Sequence, residues 1–403
     1  MQASITKAPF GTLPDERPAD LYTLTNNKGL VVKITNFGGI ITEIHAPDRD
    51  GNYADVVLGY DNVAPYVDDS PYFGALIGRY GNRLREGRFS LDGRRFQLPV
   101  NNGANHLHGG KWGFHKVLWT ALPFHDPGAV GLTLTHRSLD GEEGYPGTLD
   151  VTVVYRLNNG SHDGSNNGSN NGSNNGSHNG SNNGSNNGSN NGSHNGSNNA
   201  GELSVAFHAV TDQATPVNLT QHSYFNLAGG GDILAHELML NAAHFTPIDA
   251  TSIPTGELAP VAGTPFDFRT PRAIGACIGH DDGQLRNGSG YDHNFVIDKA
   301  GAGMSVLAAR VRDPLSGRVL ELTTQEPGVQ FYSGNFLDGS QTGKGRQYGF
   351  RSGFCLEPQH FPDSPNQPAF PNTILRPGQE YATVSTYSFS VESAAIRTST
   401  REP

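Results

Sequence analysis

Short segments in which apolar and polar residues alternate follow one another along most of this chain, and this pattern constrains its fold most. Side chains on a β-strand point alternately to the two faces of a sheet, so alternation is typical of a strand with one buried face. The last such segment, residues 387–392, reads YSFSVE and carries an apolar side chain at every second position. We therefore expect an all-β protein.

Tight turns connect several of these segments. In GRFSLDGRRFQL, Asp92-Gly93 separates two alternating arms, which is a strong hairpin signal. We expect a second hairpin at residues 304–326, turning at Asp313 to Gly317. Sequential strands joined by short turns form antiparallel sheets, and this number of strands predicts a large antiparallel β-sandwich.

Helical periodicity is scarce in this chain. The segments APYVDD and PRAIGACIG are each predicted to form at most a turn or two of helix. The composition agrees, because 52 Gly, 25 Pro and only 16% charged residues are typical of many turns and little helix. Strands do not alternate with helices as they do in a parallel nucleotide-binding sheet.

A low-complexity tract from about Asn158 to Asn199 interrupts the series of strands. It repeats Gly-Ser-Asn-Asn, and His162, His178 and His194 each replace an Asn. Because the tract has no apolar residues to pack, we expect a disordered loop that replaces a hairpin turn between TLDVTVVYRL and GELSVAFHAV. Residues 1–403 are predicted to form one domain, interrupted by this insertion.

Charge and cysteine content narrow the class of protein. The net charge of −10 is spread along the chain, and no Lys/Arg cluster predicts binding to nucleic acid or to an anionic membrane. Cys277 and Cys355 are far apart and in no metal-binding spacing, so we expect two reduced thiols. No signal peptide or membrane span is recognisable, and a cytoplasmic protein is expected.

Several segments place ionisable or amide side chains among apolar and aromatic residues. These side chains are Asn82 and Arg83 in GRYGNRL, His106 and His108 in NHLHGG, His222 in NLTQHSYFNL, Asp267 in GTPFDFRTP, Gln330 in GVQFYSGNF, and Glu357 in FCLEPQHFPD. Together they are typical of a sugar site, because sugars present hydroxyl groups that need polar partners and an apolar face that stacks on aromatic rings.

Each of these residues also has a structural interpretation. A lone His among apolar residues is usually a hydrogen-bonded core residue, and His106 is expected to be structural. Glu357 is compatible with a buried ion pair to Arg83. Asp267 is compatible with capping a turn or pairing with Arg269.

The motifs leave few chemical options. No Gly-rich loop precedes a helix, no GxSxG motif is present, and the His106-x-His108 pair lacks a third metal ligand at a recognisable spacing. We therefore expect no metal and no cofactor, and acid–base chemistry by a carboxylate and a His remains. An apolar setting should raise the pKa of Glu357 and lower that of His222.

Taken in order, these motifs resemble the aldose 1-epimerase (galactose mutarotase) family over essentially the whole chain outside the tract. The matching segments are NFGGIITEIHAPDRDG, ADVVLGYD, YFGALIGRYGNRL, NHLHGG, TPVNLTQHSYFNL, GYDHNFVID, GVQFYSGNFLDG and GFCLEPQHFPDSPNQPAFP. One position departs from the family signature, since Gln221 stands where Asn usually precedes the His. We expect activity to survive this change, because Gln keeps the amide.

The resemblance implies a galactose mutarotase-like β-supersandwich with an open sugar-binding groove. It implies that Glu357 is a general base and His222 a general acid, held on opposite sides of a bound hexose, with His108 as a second His near the ring oxygen. Sugar-hydroxyl contacts are implied for Asn82, Arg83, Asp267 and Gln330. The implied reaction interconverts the α and β anomers of aldoses such as galactose and glucose, in a monomer or homodimer, without a metal or cofactor.

Three other functions remain open from the sequence. A glycoside hydrolase would use Glu357 and Asp267 as its two carboxylates. A hexose 6-phosphate epimerase would need more cationic residues at the groove rim than Arg79 and Arg83. A non-catalytic sugar-binding module would keep the aromatic residues and hydroxyl contacts without needing Glu357 or His222.

Overall fold

The structure is a computed structural model that describes residues 2–68, 70–159 and 197–392. In chain order its strands are β1 (Ser4–Thr12), β2 (Pro18–Thr25), β3 (Val31–Thr35), β4 (Ile41–Pro47), β5 (Tyr53–Asp55), β6 (Ala75–Ile77), β7 (Arg83–Leu84), β8 (Arg88–Leu91), β9 (Arg94–Gln97), β10 (His106–Leu107), β11 (Thr120–Asp126), β12 (Ala129–Ser138), β13 (Leu149–Asn158), β14 (Ser197–Thr211), β15 (Thr215–Pro216), β16 (Thr220–His222), β17 (Tyr224–Phe225), β18 (Glu237–Leu240), β19 (His244–Phe245), β20 (Ala259–Pro260), β21 (Arg272–Ala273), β22 (Asp292–Val296), β23 (Val306–Arg312), β24 (Arg318–Thr324), β25 (Gly328–Tyr332), β26 (Thr342–Gly343), β27 (Arg346–Gln347), β28 (Phe354–Gln359), β29 (Ile374–Leu375) and β30 (Tyr381–Glu392).

Helix is confined to short pieces, as the sequence predicts. The α-helices of the described ranges are α1 (Ala64–Val67) and α2 (Gly283–Gly288), and 3₁₀ turns occur at Arg85–Gly87, Phe114–Lys116, Glu142–Gly144, Ile274–Ala276 and Ser364–Asn366. No helix in the described part of the chain is long and apolar enough to cross a membrane. The all-β class is therefore confirmed.

Three sheets contain most of the strands. A nine-stranded sheet has the order β11-β12-β13-β14-β30-β24-β23-β18-β21, a six-stranded sheet has the order β17-β28-β25-β22-β19-β20, and a five-stranded sheet runs from β1 to β5. Neighbouring strands in these three sheets pair antiparallel. The antiparallel arrangement agrees with the prediction from short turns.

Both predicted hairpins are present. β8 and β9 pair with Leu91 opposite Arg94, and Asp92 and Gly93 between them have φ angles of +49° and +75°. Positive φ at both central residues is what a type I′ turn requires. β23 and β24 pair on either side of the turn at Asp313 to Gly317.

The alternating pattern places one apolar face of each large sheet in a shared core. Val153 and Tyr155 of the nine-stranded sheet belong to the same buried cluster as Phe331, Phe354 and Leu356 of the six-stranded sheet. The sheets therefore pack face to face as a sandwich. Full burial of each such aliphatic or aromatic side chain contributes about 1.5–3 kcal/mol of transfer free energy.

The opposite face of the six-stranded sheet is polar, and this explains why a Glu occurs in an apolar run. Phe354 and Leu356 point to the core, so Cys355 and Glu357 of the same strand point to the other face. The register continues this polar face onto β25, because Gln330 lies opposite Glu357.

The segments that flank the low-complexity tract pair as predicted. β13 and β14 run antiparallel from the pair Leu149–Thr211 to the pair Asn158–Glu202. β14 begins at Ser197, so the last residues assigned to the tract, Ser197–Asn199, form strand pairs with β30. The expected disorder concerns residues 160–196, which lie outside the described residues, as do the three His of the tract.

Candidate active site

His222 ends β16, and Glu357 lies in β28, which runs next to β16. β16 itself pairs with β6, and Tyr224, two residues after His222, lies opposite Cys355, two residues before Glu357. Nε2 of His222 is 3.6 Å from Oε2 of Glu357, and both residues are almost fully buried. A sugar ring does not fit into a gap of this size, so the expectation that they are held on opposite sides of a hexose is wrong.

A cavity of about 650 Å³ lies beside this pair. This volume is within the usual range for small-molecule sites, about 300–1,000 Å³. Five of the residues predicted for the site line it: Asn82, Arg83, His108, His222 and Glu357. Its floor is the polar face of the six-stranded sheet, and loops that contain Tyr72, Asn102 and Ser289 contribute to its walls.

His108 is held by Asn82 at the side of the cavity. The backbone N–H of Asn82 donates to Nδ1 of His108 at 3.2 Å, and the N–H of His108 donates to the carbonyl of Asn82 at 3.0 Å. Because Nδ1 accepts a hydrogen bond, the neutral ring carries its proton on Nε2. The adjacent Gly109 has φ of +80°, and a Cβ there would lie 1.8 Å from the carbonyl oxygen of Gly78.

Two tyrosine rings hold the plane of the His222 imidazole. The ring centroids of Tyr72 and Tyr224 lie 5.8 Å and 5.2 Å from that of His222, with interplanar angles of 29° and 23°. The His108 ring meets His222 edge-on at 5.1 Å. Tyr72, Asn82 and His108 all have positive φ, and such conformations are uncommon for residues other than glycine and often occur at functional sites.

Asp292 is the carboxylate that the sequence reasoning missed. It lines the cavity at the start of β22, and its Oδ2 is 3.9 Å from Nη1 of Arg83. Gln330 donates from Nε2 to Oδ1 of Asp292 at 2.7 Å, so this predicted site residue supports Asp292 and does not itself line the cavity. The alternating segment YDHNFVI contained the signal, because it places Asp292 and Asn294 on one face of a strand.

Asp267 is not brought to the cavity. It follows Phe266 in a loop, is partly exposed, and accepts two hydrogen bonds from the Arg269 guanidinium at 2.8 Å and 2.7 Å. Asp267 is therefore paired with Arg269, which is the structural alternative that the sequence left open for this residue. The carboxylate close to Arg83 is that of Asp292.

Burial sets the electrostatics of the site. It raises the pKa of Glu357 well above the usual value, the charge of Asp292 adds to this shift, and the Arg83 guanidinium opposes it. Burial lowers the pKa of His222 to about 4, against a smaller opposing effect of its own backbone, and lowers the pKa of His108 further from its usual value. The raised pKa of Glu357 and the lowered pKa of His222 are both expected from the sequence. Among the described residues, Oε2 of Glu357 has no hydrogen-bond partner.

Three of these side chains have donor atoms close enough to bind a cation. One nitrogen each from His108 and His222 and one oxygen from Glu357 lie within 4.8 Å of one another. Nδ1 of His108 is occupied by Asn82, and Nδ1 of His222 lies 3.6 Å from Sγ of Cys355. The Nε2 atoms are therefore the ones that face a ligand, whether cation or sugar. The absence of a metal requirement stays a prediction.

Two further residues have structural partners. His106 bonds the carbonyl of Pro99 through Nδ1 and the hydroxyl of Tyr145 through Nε2, both at 2.7 Å. Gln221, at the position that departs from the family signature, donates to the carbonyl of Gly74 and to Oγ of Ser223, each at 2.9 Å. The longer amide is therefore accommodated by hydrogen bonds within the described structure.

Known proteins resemble this chain along nearly its whole length. A family model described as aldose 1-epimerase matches residues 20–171 and 198–388. Galactose mutarotases of Bos taurus and Pongo abelii are 42% and 43% identical to it over 392 residues, which cover 96% of this chain and 99% of each relative. A crystal structure of a GalM/aldose epimerase homologue from C. elegans has a TM-score of 0.75 at 26% identity, and the match covers 97% of this chain and 100% of the homologue.

Proposed function

This chain belongs to the aldose 1-epimerase family, and from that membership we propose how its residues interconvert the α and β anomers of an aldose. The enzyme is an isomerase of that family and acts on aldose sugars such as galactose. We propose that Glu357 is the general base, His222 the general acid, and His108 a donor near the ring oxygen.

The reaction needs one base and one acid at neighbouring oxygens. The base removes the proton of the C1 hydroxyl, and the electron pair of that O–H bond forms the aldehyde C=O. The C1–O5 bond breaks, its electron pair goes to O5, and O5 takes a proton from the acid. Rotation about C1–C2 presents the other carbonyl face, and closure returns both protons. Each positioned acid or base contributes about 10²–10⁴-fold.

The observation that carries this proposal is the 3.6 Å separation of Nε2 of His222 and Oε2 of Glu357 beside the cavity. O1 and O5 are both bonded to C1, so they are close neighbours in any pyranose. Glu357 and His222 are therefore close enough together to reach O1 and O5 of one sugar at the same time. We propose that Glu357 accepts the proton of the C1 hydroxyl and that Nε2 of His222 donates to the ring oxygen.

The proton balance of the pair also suits the reaction. Burial favours the neutral form of both groups, and in that form Glu357 and His222 together hold one titratable proton. When a sugar hydroxyl donates to the carboxylate, that proton resides on His222 and the pair is ready to open the ring. No proton has to enter or leave the site during a turnover.

The remaining cavity residues suit recognition of the sugar. We propose that Arg83, Asn82 and Asp292 contact hydroxyl groups, and that Gln330 holds Asp292 in place through its 2.7 Å hydrogen bond. Asp267 is left out of this set because it does not line the cavity. The ring of Phe336, 62% exposed and stacked on Tyr332, offers a surface for the apolar face of the sugar.

The rival functions have less support from the site. A glycoside hydrolase that uses Asp267 would need that carboxylate at the cavity, where it is not found. A hexose 6-phosphate epimerase would need cations at the rim, and Arg79 is instead buried with its guanidinium donating to Ser138 and to backbone carbonyls. A non-catalytic sugar-binding module would have no need for a buried carboxylate oxygen such as Oε2 of Glu357, which has no hydrogen-bond partner among the described residues.

We also propose that residues 1–403 form one domain, interrupted by the tract, that works in the cytoplasm as a monomer or homodimer. The net charge of −10 without a Lys/Arg cluster supports a small-molecule substrate rather than nucleic acid or a membrane. Size-exclusion chromatography coupled to light scattering distinguishes the monomer from the dimer.

Polarimetry tests the proposed function. Freshly dissolved α-D-galactose and α-D-glucose should reach anomeric equilibrium faster with the protein, at a rate proportional to its concentration. Nitrophenyl galactosides should release no nitrophenol, which separates the epimerase from a glycoside hydrolase. Equilibration at the buffer rate with both sugars would contradict the proposal.

A further inference from the structure

Cys355 contacts the imidazole of His222. Its Sγ is 3.6 Å from Nδ1 of His222, while Nε2 of the same ring is 3.6 Å from Oε2 of Glu357. Cys355 is fully buried, and it shares a face of β28 with Glu357 two residues further on. The thiol of Cys355 and the carboxylate of Glu357, both on β28, therefore each lie close to a different nitrogen of the His222 ring.

The ring needs such a contact because its neighbours fix its plane but not its orientation within that plane. Tyr72 and Tyr224 stack against the His222 ring. A half turn about Cβ–Cγ leaves the ring in the same plane and so keeps both stacking contacts, but it exchanges Nδ1 with Cδ2 and Nε2 with Cε1. After that turn a C–H group, which is no proton donor for a ring oxygen, would face Glu357 and the sugar.

We propose that Cys355 is a positioning residue for His222: its contact with Nδ1 selects the ring orientation that presents Nε2 to the sugar. This inference rests on the proposed function, in which Nε2 donates to the ring oxygen. After that donation the neutral imidazole keeps its remaining proton on Nδ1, where the sulfur accepts a weak hydrogen bond. A weak, uncharged partner orients the ring without making it a much stronger base.

The surroundings keep the thiol in the form this role requires. Burial raises the pKa of Cys355 well above the usual value, and the charges of Glu357 and Asp292 act in the same direction. The sulfur therefore adds no negative charge that would hold the proton on the imidazole. The titratable groups around His222 are Tyr72, His108, His115, Tyr224, Cys355 and Glu357.

Two substitutions of Cys355 test the inference by polarimetry across pH, with C277A as the control at the other cysteine, which does not line the cavity. C355A should lower kcat about 10-fold with KM changed less than about twofold, because the sugar contacts are intact and the acid is misoriented. C355S should recover kcat to within about twofold of wild type. Because a hydroxyl oxygen accepts more strongly than sulfur, C355S should also move the acid limb of the kcat/KM profile to higher pH.

A matched NMR titration of the His side chains in wild type and C355S gives a second reading that does not need C355A to fold. The His222 titration should move to higher pH in C355S. An unchanged titration, or C355A with wild-type kcat and pH profile, would overturn the inference. Failure of the proposed function is distinct, because it appears as full activity in E357Q, whereas failure of this inference alone leaves E357Q inactive.

Discussion

Nε2 of His222, at the end of β16, lies 3.6 Å from Oε2 of Glu357 on β28, beside the polar face of the six-stranded sheet. The separation is too short for a sugar ring to lie between the two groups. It suits instead two oxygens on a single carbon, which is the arrangement of O1 and O5 at the anomeric centre. The proposed base and acid both lie on strands, β28 and β16, rather than on loops.

The first prediction concerns the base. E357Q should lower kcat by about 10³-fold, since a positioned base contributes about 10²–10⁴-fold and Gln cannot accept the proton. Polarimetry measures the effect, and circular dichroism checks the fold. E326Q is a matched control, because Glu326 is equally buried but pairs with His360, and it should keep wild-type kcat. Full activity of E357Q would remove Glu357 from the mechanism.

The same two variants should change stability in opposite directions. The pKa of Glu357 is raised in the folded protein, so above about pH 4.5 the unfolded chain releases a proton that the folded protein retains, and stability falls as pH rises above that value. E357Q should therefore raise the free energy of unfolding at pH 7, by about 1–3 kcal/mol, and have little effect at pH 4. Chemical denaturation at the two pH values measures this.

Glu326 should behave in the opposite way. Burial alone would raise its pKa, but the charge and hydrogen bond of His360 lower it below the usual value. Its stabilising contribution is therefore present above the unfolded-state pKa and lost as pH falls through the folded one. E326Q should lower the free energy of unfolding at pH 7. Equal signs for E326Q and E357Q would contradict this account of the two carboxylates.

The third prediction is a plateau in the pH profile of kcat/KM between the lowered pKa of His222 and the raised pKa of Glu357. Below about pH 4, the pKa of His222, the pair holds two protons and Glu357 cannot accept another. Above the raised pKa of Glu357 the pair loses its one proton, and His222 has none to donate. Initial rates from polarimetry at constant ionic strength give the profile. An acid limb at the ordinary His value of about 6.5 would contradict it.

The fourth prediction separates two aspartates. D292N should weaken sugar binding about 10-fold or more, because a buried charged partner of a hydroxyl contributes about 1.5–3 kcal/mol. D267N should leave KM and kcat within about twofold of wild type, since Asp267 pairs with Arg269 outside the cavity. Michaelis–Menten kinetics with galactose measure both. A large effect of D267N and none of D292N would reverse the assignment.

The fifth prediction concerns the low-complexity tract. Replacing residues 160–196 by Asn-Gly should leave kcat/KM within about twofold of wild type, because the site residues lie on other strands. A longer deletion through Asn158 and Asn199 is the matched comparison. It removes carbonyls that accept hydrogen bonds from Asn26 and Lys28, so it should lower stability but not activity. A large loss of activity in the shorter deletion would give the tract a function.

The sequence was most informative where the relevant signal is local. Alternation in residues 353–357 is enough to place Cys355 and Glu357 on one face, and Asp92-Gly93 is enough to predict its hairpin. The pairing of β13 with β14 was predictable because the flanks of the tract alternate, although their connection does not.

The rest depends on long-range register, which no local pattern contains. Asp267 and Asp292 both occur beside aromatic residues, and only the pairing of Asp292 with Tyr332 and of Gln330 with Glu357 shows which one reaches the site. The proximity of His222 to Glu357 and to Cys355 likewise depends on β16 lying next to β28, which is distant in the chain.

A structure of the protein with D-galactose bound tests the central claim most directly. The account predicts the C1 hydroxyl within about 2.6–3.2 Å of the Glu357 carboxylate and the ring oxygen within the same distance of Nε2 of His222. A sugar bound in the cavity with C1 and its ring oxygen turned away from these two groups would contradict it.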